Sequence, residues 1–247
     1  MAKYILFDTE TTGNGAEDRI IQIGAMIVDS SGSVEVFDEL CSSEMPIKIE
    51  AMEVHGITPE MLAGKKPCKE SDFYARLNAL NSEENFLIAH NLPFDLGMIE
   101  KEGFRSDMRH IDTLRCARHL FDDSPVHRLQ YFRYALKLYR KETQEAEKYG
   151  IVVKAHDAIG DVLVMKLFLS ELVAKVKERF ADENVMQKLV ELSKTPVTVK
   201  KFRFGKYKDR LVEEIVELDP GYIKWMLSSM EDLDADLRYT LEKLQER

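Results

Sequence analysis

The 247-residue sequence predicts a mixed α/β fold. Three observations lead there. Three apolar runs in the first 40 residues are joined by short turn-rich links, which favours antiparallel strands. Further apolar runs then alternate with helical patterns, the signature of an added parallel portion. An apolar fraction of 45% supports one large domain, or a medium domain with an appendage.

The strands expected first are Tyr4 to Phe7, Ile20 to Asp29 and Val34 to Leu40, the last two linked by Asp29-Ser30-Ser31-Gly32-Ser33. Residues 41 to 57 read as irregular. Thr58, Pro59 and Glu60 have the form of an N-cap with proline in the first helical position, and another helix is expected over 70 to 80. Phe86 to Ala89 reads as a buried strand, followed by a helix opened by Pro93, a strand around Arg109 to Ile111, and helices near 113 to 121 and 128 to 138. The polar stretch 139 to 155 lacks a clear period and reads as a surface loop. A long helix from Asp157 to about Phe180 carries apolar residues at Val162, Met165, Leu169, Leu172 and Val176, and a shorter one covers 183 to 192.

Ser193-Lys194-Thr195-Pro196 breaks the pattern and divides the chain into a domain of residues 1–193 and a module of residues 194–247. The module opens with the alternating "VTVKKFRFGKYKDR" and continues with the helical "LVEEIVEL" and "DPGYIKWMLSSM". No internal repeat or low-complexity tract is visible.

A net charge of −9 argues against a protein that coats nucleic acid by counterion release. Two basic islands interrupt the acidic chain, with ten Lys and Arg against five Asp and Glu over Lys101 to Lys141, and seven against one over Lys194 to Arg210. Solvated helix faces account for either island. Cys41, Cys68 and Cys116 are widely spaced and make no CxxC pair, so neither a disulfide framework nor a zinc ribbon is suggested and a reducing cytoplasm is expected. The apolar run before Asp8 is too short for a signal peptide or a membrane span.

The stretch "ILFDTETTG" places Asp8 and Glu10 on one face of a strand end, about 6–7 Å apart. Both could reach one divalent ion. Hard ions such as Mg²⁺ need more oxygen ligands than two carboxylates, so further acids are required nearby. Asp95 in "AHNLPFDLGMIE" and Asp161 in "HDAIGDVLVMKL" lie where a mixed sheet could deliver them. Asp157 is set aside because a helix start explains it as a cap. His156 precedes Asp161 by five residues, and an imidazole with an ordinary pKa of about 6.5 suits proton abstraction from water. A surface histidine beside a helix is the alternative.

Taken together, "FDTETTG", "HNLPFD" and "HDAIGD" resemble the three ordered motifs of the DEDDh (DnaQ-like) 3′–5′ exonucleases, the family of the polymerase III proofreading subunit, oligoribonuclease and ribonuclease T. The resemblance covers residues 4 to 170. It implies an RNase H-like mixed five-stranded sheet flanked by helices, and two divalent cations, Mg²⁺ or Mn²⁺. Asp8 would bridge both ions, Glu10 and Asp161 would complete the first, Asp95 would hold the second largely through water, and His156 would be the general base. Thr11, Thr12 and Gly13 would lie beside the terminal nucleotide. Ile57 in "VHGIT" would wedge against the last bases or sit in the core. His90, Asn91 and Phe94 flank the second motif, where Phe94 would stack on a base or pack beneath the site. The implied partner is single-stranded DNA or a 3′ DNA end, with no membrane.

The tail resembles the segment that follows the nuclease domain in the exodeoxyribonuclease X group. A small α+β module is expected there. Phe202, Phe204 and Tyr207, interleaved with Lys200, Lys201, Arg203, Lys206 and Lys208, form either a nucleic-acid face or a hairpin with core aromatics, and Tyr222, Trp225, Leu227 and Leu237 are expected to need a core. Two alternatives stay open: an RNA substrate, as for oligoribonuclease or ribonuclease T, and a proofreading subunit acting within a DNA polymerase assembly. Homodimers are common in the family, though no interface is legible.

Overall fold

A computed structural model describes residues 1–154 and 156–246. Five strands form one sheet in the order β3-β2-β1-β4-β5. They are β1 (Lys3–Thr11), β2 (Ile20–Asp29), β3 (Val34–Leu40), β4 (Phe86–Ala89) and β5 (Arg109–Asp112). The pairs β3–β2 and β2–β1 are antiparallel, whereas β1–β4 and β4–β5 are parallel. Short turns can close the first three strands; the parallel pairs need longer crossovers, which the intervening helices supply.

Helices follow as α1 (Ile49–His55), α2 (Pro59–Leu62), α3 (Asp72–Ala79), α4 (Leu92–Lys101), α5 (Thr113–Leu120), α6 (Leu129–Ala135), α7 (Tyr139–Tyr149), α8 (Ala158–Arg179) and α9 (Val185–Lys194). Alternation along the strands sorts the apolar residues into two cores. Leu6, Met26, Ile88 and Ile111 join residues of α5 to α9 on one face. Ile5, Phe7, Ile23 and Leu87 join residues of α3 and α4 on the other.

Two segments depart from the sequence reading. Residues 41 to 57 contain α1, whose Ile49 and Val54 are exposed and whose only buried residue is His55, so no apolar stripe announces it. Residues 139 to 155 contain α7 rather than a loop. Its inward positions are Glu142 and Ala146, and Glu142 is buried because Arg133 donates to it from both Nε (2.6 Å) and Nη2 (2.7 Å). An ion pair stands where the pattern would show an apolar residue.

The chain divides into two compact units, Met1–Ser193 and Lys194–Arg247. The second contains α10 (Val212–Leu218), α11 (Pro220–Ser229) and α12 (Ala235–Gln245) around a core of Phe202, Val212, Ile215, Ile223, Met226 and Leu237, among others. Its β content is less than expected: among the described residues there is one bridge, Lys201 to Leu211, and no strand. The segment before it is held by side chains of α12 instead, with the Val197 N–H donating to Asp236 and the Val199 N–H to Thr240, both at 2.9 Å. No helix among the described residues is long and apolar enough to cross a membrane.

Candidate active site

β1 is the central strand, and its last residues extend beyond the part paired with β4, which stops at Leu6 opposite Ile88. In open α/β sheets such a strand end beside a change of direction is where ligands bind. Leu6, Asp8 and Glu10 share one face of β1, and Leu6 lies in the core built on α8. The two carboxylates therefore face the start of α8. Thr9 points to the opposite face and is buried.

Thr9 was not singled out from the sequence, yet it fixes Asp95. Its N–H (3.0 Å) and its hydroxyl (2.8 Å) both donate to Asp95 Oδ1. Asp95 lies in the first turn of α4 and is buried. With Oδ1 held by Thr9, the carboxylate has one defined orientation.

Asp161 comes from α8, and glycines let that helix approach. A Cβ on Gly24, the residue opposite Asp8 in the β1–β2 register, would lie 2.2 Å from the Ala158 carbonyl carbon. A Cβ on Gly160 would lie 2.5 Å from the Lys154 carbonyl oxygen. Either addition collides with backbone, so the small residues set how near Asp161 comes to β1. Gln130 of α6 donates from Nε2 to Asp161 Oδ1 at 2.5 Å, and Arg133, already held by Glu142, donates to Gln130 Oε1 at 3.2 Å. A relay of Glu142, Arg133 and Gln130 thus steers the carboxylate of Asp161.

His156 is exposed and sits at φ 57°, a left-handed conformation uncommon outside glycine. Its backbone N–H donates to the Asp161 carboxylate, which places it at the mouth of the carboxylate group. Asp157 is not a cap. It occupies the N-cap position of α8 without a capping bond, and its Oδ1 accepts from Gln22 Nε2 at 3.0 Å. Gln22 does the capping, since its Oε1 accepts from the Ala158 N–H at 3.4 Å, and its amide also donates to Asp38 at 3.0 Å.

The expected substrate contacts divide. Gly13 is half-buried and Asn91 is exposed, so both remain accessible. Phe94 is half-buried against the α3–α4 core. Thr11 is buried, its hydroxyl donating to the Gly13 carbonyl at 2.7 Å. Thr12 is fully buried and its hydroxyl is consumed, donating to Asp18 and accepting from the Arg19 N–H, both at 3.0 Å. The same holds for His90, whose Nδ1 and Nε2 lie 2.9 Å from Thr113 Oγ1 and from the His127 carbonyl. Burial pushes this imidazole down to about 4, so it is a neutral structural residue. Ile57 is 4% exposed and packs with Ile21, Ile47 and Leu62.

Ile57 also lines a cavity of about 330 Å³, together with Gln22, Asp38, His55, Lys154 and Asp157. His55 was missed in the sequence. Its Nδ1 accepts from the Ile57 N–H at 3.0 Å and its Nε2 lies 3.2 Å from the Thr11 carbonyl, which requires the neutral tautomer protonated on Nε2. It ties the cavity wall to the end of β1.

The carboxylates repel one another. Burial, then Asp95, Asp161 and Glu10, hold Asp8 well above the ordinary carboxylate range. Burial, then Asp161 and Asp95, push Glu10 to about 8. Asp95 is pushed to about 7, burial outweighing its bonds from Thr9. Asp161 reaches about 6, burial outweighing the opposing influence of His156, Gln130 and Arg133. The four acids of three distant segments therefore share one electrostatic neighbourhood. Among the described residues no Lys or Arg forms an ion pair with any of them. Nor are three or more His, Cys, Asp or Glu side chains already drawn together as a metal-holding group among those residues. In chemistry the donor set fits hard divalent cations: carboxylate oxygens, buried at Asp95 and half-buried at Asp8, Glu10 and Asp161, without a Lys or Arg ion pair among the described residues.

Against this geometry stand the comparisons. The family model described as Exonuclease matches residues 5–168, and one described as Exodeoxyribonuclease X-like C-terminal matches 202–228. The chain belongs to this exonuclease family. It is similar to Exodeoxyribonuclease 10 of Escherichia coli strain K12, 25% identical over 240 residues and covering 96% of each chain. In fold it is similar to Exonuclease X solved with 5′ overhanging duplex DNA, with a TM-score of 0.56 and 19% identity over 77% of this chain and 99% of that one. It also matches E. coli Exonuclease I solved with a dT13 oligonucleotide, with a TM-score of 0.55 and 24% identity over 74% of this chain and 43% of the other. The sheet and its helices are thus the RNase H-like fold of DnaQ-like 3′–5′ exonucleases.

Proposed function

We propose that this exonuclease removes nucleotides from 3′ ends of DNA, preferably single-stranded, with two divalent cations held by Asp8, Glu10, Asp95 and Asp161. One observation carries the reading: four carboxylates from three segments lie near enough at the end of the central strand for Asp8 and Glu10 each to be raised by the others, and among the described residues none forms an ion pair with Lys or Arg. When bound, the ions supply the positive charge that activates the attacking water and offsets charge on the leaving 3′ oxygen. Mg²⁺ is the expected ion, with Mn²⁺ as a substitute.

The protein's own part is orientation and proton transfer. Thr9 fixes the carboxylate of Asp95, and Gln130 with the His156 N–H fixes that of Asp161, so both would be oriented before an ion binds. Exposed at the mouth, the His156 imidazole takes a proton from the attacking water as the P–O3′ bond breaks, releasing a nucleoside 5′-monophosphate. The cavity walled by Gln22, His55 and Ile57 supports a seat for the terminal nucleotide. The names of the relatives favour DNA over RNA, and the three free, buried cysteines suit a reducing cytoplasm.

Matched 5′-labelled DNA and RNA strands test this directly. With Mg²⁺ or Mn²⁺ the isolated chain is expected to shorten DNA from its 3′ end and RNA more slowly. Failure to shorten either strand in the presence of these ions overturns the reading, and preference for RNA reassigns the substrate. Activity without a polymerase separates a free enzyme from a proofreading subunit.

A further inference from the structure

The sequence places one tryptophan in the whole chain, and it is not in a core. Trp225 of α11 is 51% exposed, although so large an aromatic surface is normally withdrawn from water. It stacks on Tyr222, ring centroids 5.6 Å apart and planes 30° apart. Tyr222 in turn meets Tyr207 edge-on at 5.2 Å, and Tyr207 approaches the buried Phe202 at 6.5 Å. The aromatics thus form a ladder anchored in the core of the second unit and ending in water.

This corrects the sequence reading of the tail. Phe202 is core, and Tyr207 is half-buried with its hydroxyl donating to Asp219 at 2.7 Å, so neither can receive a ligand base. Trp225, expected in a core, is the exposed rung. The basic loop that begins at Lys201 lies against this ladder, since a Cβ on Gly205 would stand 2.7 Å from the Tyr222 hydroxyl. Within that loop Lys206 is paired with Asp219 at 3.0 Å and Arg210 with Glu214. Arg203 and Lys208 are exposed.

We propose that the second unit is an additional contact for single-stranded DNA, in which a base stacks on Trp225 while Arg203 and Lys208 face phosphates. The chemistry is matched on both counts: an aromatic face accepts any base, and a cationic loop follows a polyanion. This goes beyond the catalytic reading and does not depend on it, because the contact needs neither the carboxylates nor a divalent ion.

The lone tryptophan is its own probe. The full-length chain, in chelator so that no hydrolysis occurs, is titrated with a short oligothymidylate while tryptophan emission and the anisotropy of a labelled strand are followed together. Quenching that tracks the anisotropy and moves to higher DNA concentration with added salt is expected. Trp225→Ala should weaken binding about 5- to 150-fold, the range for losing one stacked base, and Trp225→Phe should restore most of it. Arg203→Ala with Lys208→Ala should lower the salt dependence. Circular dichroism and thermal unfolding, expected unchanged because the side chain is exposed, verify that Trp225→Ala is folded. Saturable anisotropy with unmoved emission overturns the proposal, as does a folded Trp225→Ala that binds like the wild type. So does emission that responds to a protein partner but not to DNA.

Discussion

Glu10→Gln removes one negative charge from the carboxylate group while keeping the side chain's size, and it should stabilise the metal-free protein. The sign follows from linkage. Glu10 is raised from 4.5 to about 8 in the fold, so between these values the folded state holds a proton that the unfolded chain has released. Stability is therefore lost as pH rises from about 4.5 towards 8, and full below that window. At pH 7.5 the unfavourable contribution comes to about 3–4 kcal/mol at 1.36 kcal/mol per pH unit, and side-chain relaxation lowers what is measured to about 2–4 kcal/mol. That is roughly 5–15 °C in Tm for a chain of this size. The assay is thermal and denaturant unfolding of both proteins from pH 4.5 to 8.5 in chelator, then with Mn²⁺. Glu10→Gln should be the more stable at pH 7.5, the gap should close towards pH 4.5, and Mn²⁺ should stabilise the wild type preferentially. A metal-free variant that is no more stable than wild type at pH 7.5 would refute the charge-repulsion account.

Other substitutions probe the neighbours of the carboxylates. His156→Ala should slow the single-turnover chemical step by ~10²–10⁴-fold with little effect on Tm, and an unchanged rate removes it as the base. Gln130→Ala should weaken Mn²⁺ binding about 10–100-fold, read by calorimetry, because the Asp161 carboxylate loses the group that orients it; equal affinity would make the relay merely structural. Gly24→Ala puts a methyl group 2.2 Å from backbone at Ala158, and the displaced helix should cost ~1–3 kcal/mol or more of stability together with activity. Wild-type unfolding in that variant would show that α8 is not held by this approach.

Much of this is legible in the sequence. Strands β1 to β3 announce themselves through alternating apolar residues and Gly- and Ser-rich turns, and the carboxylates through their positions at strand and helix ends. What escaped depends on partners distant in sequence. α7 buries a glutamate, so its inward face looks polar until Arg133 is seen beside it. Asp157 has the position of a cap, but Gln22 lies 135 residues away and takes that task from an adjacent strand. Thr12 and His90 stand within the motifs, yet their polar atoms are spent on Asp18, Arg19, Thr113 and His127. Gln130 carries no local mark at all, because a single glutamine gains its meaning only from Asp161. In the second unit the alternation of 197 to 203 suggested a hairpin, but α12 satisfies that backbone from the side.

Calorimetric titration of the wild type and Asp8→Asn with Mn²⁺ bears most directly on the carboxylate group as a two-ion site. Two ions per chain for the wild type, with at least one lost in a folded Asp8→Asn, is the expected result. Identical binding by the two proteins, or none by the wild type, would contradict it.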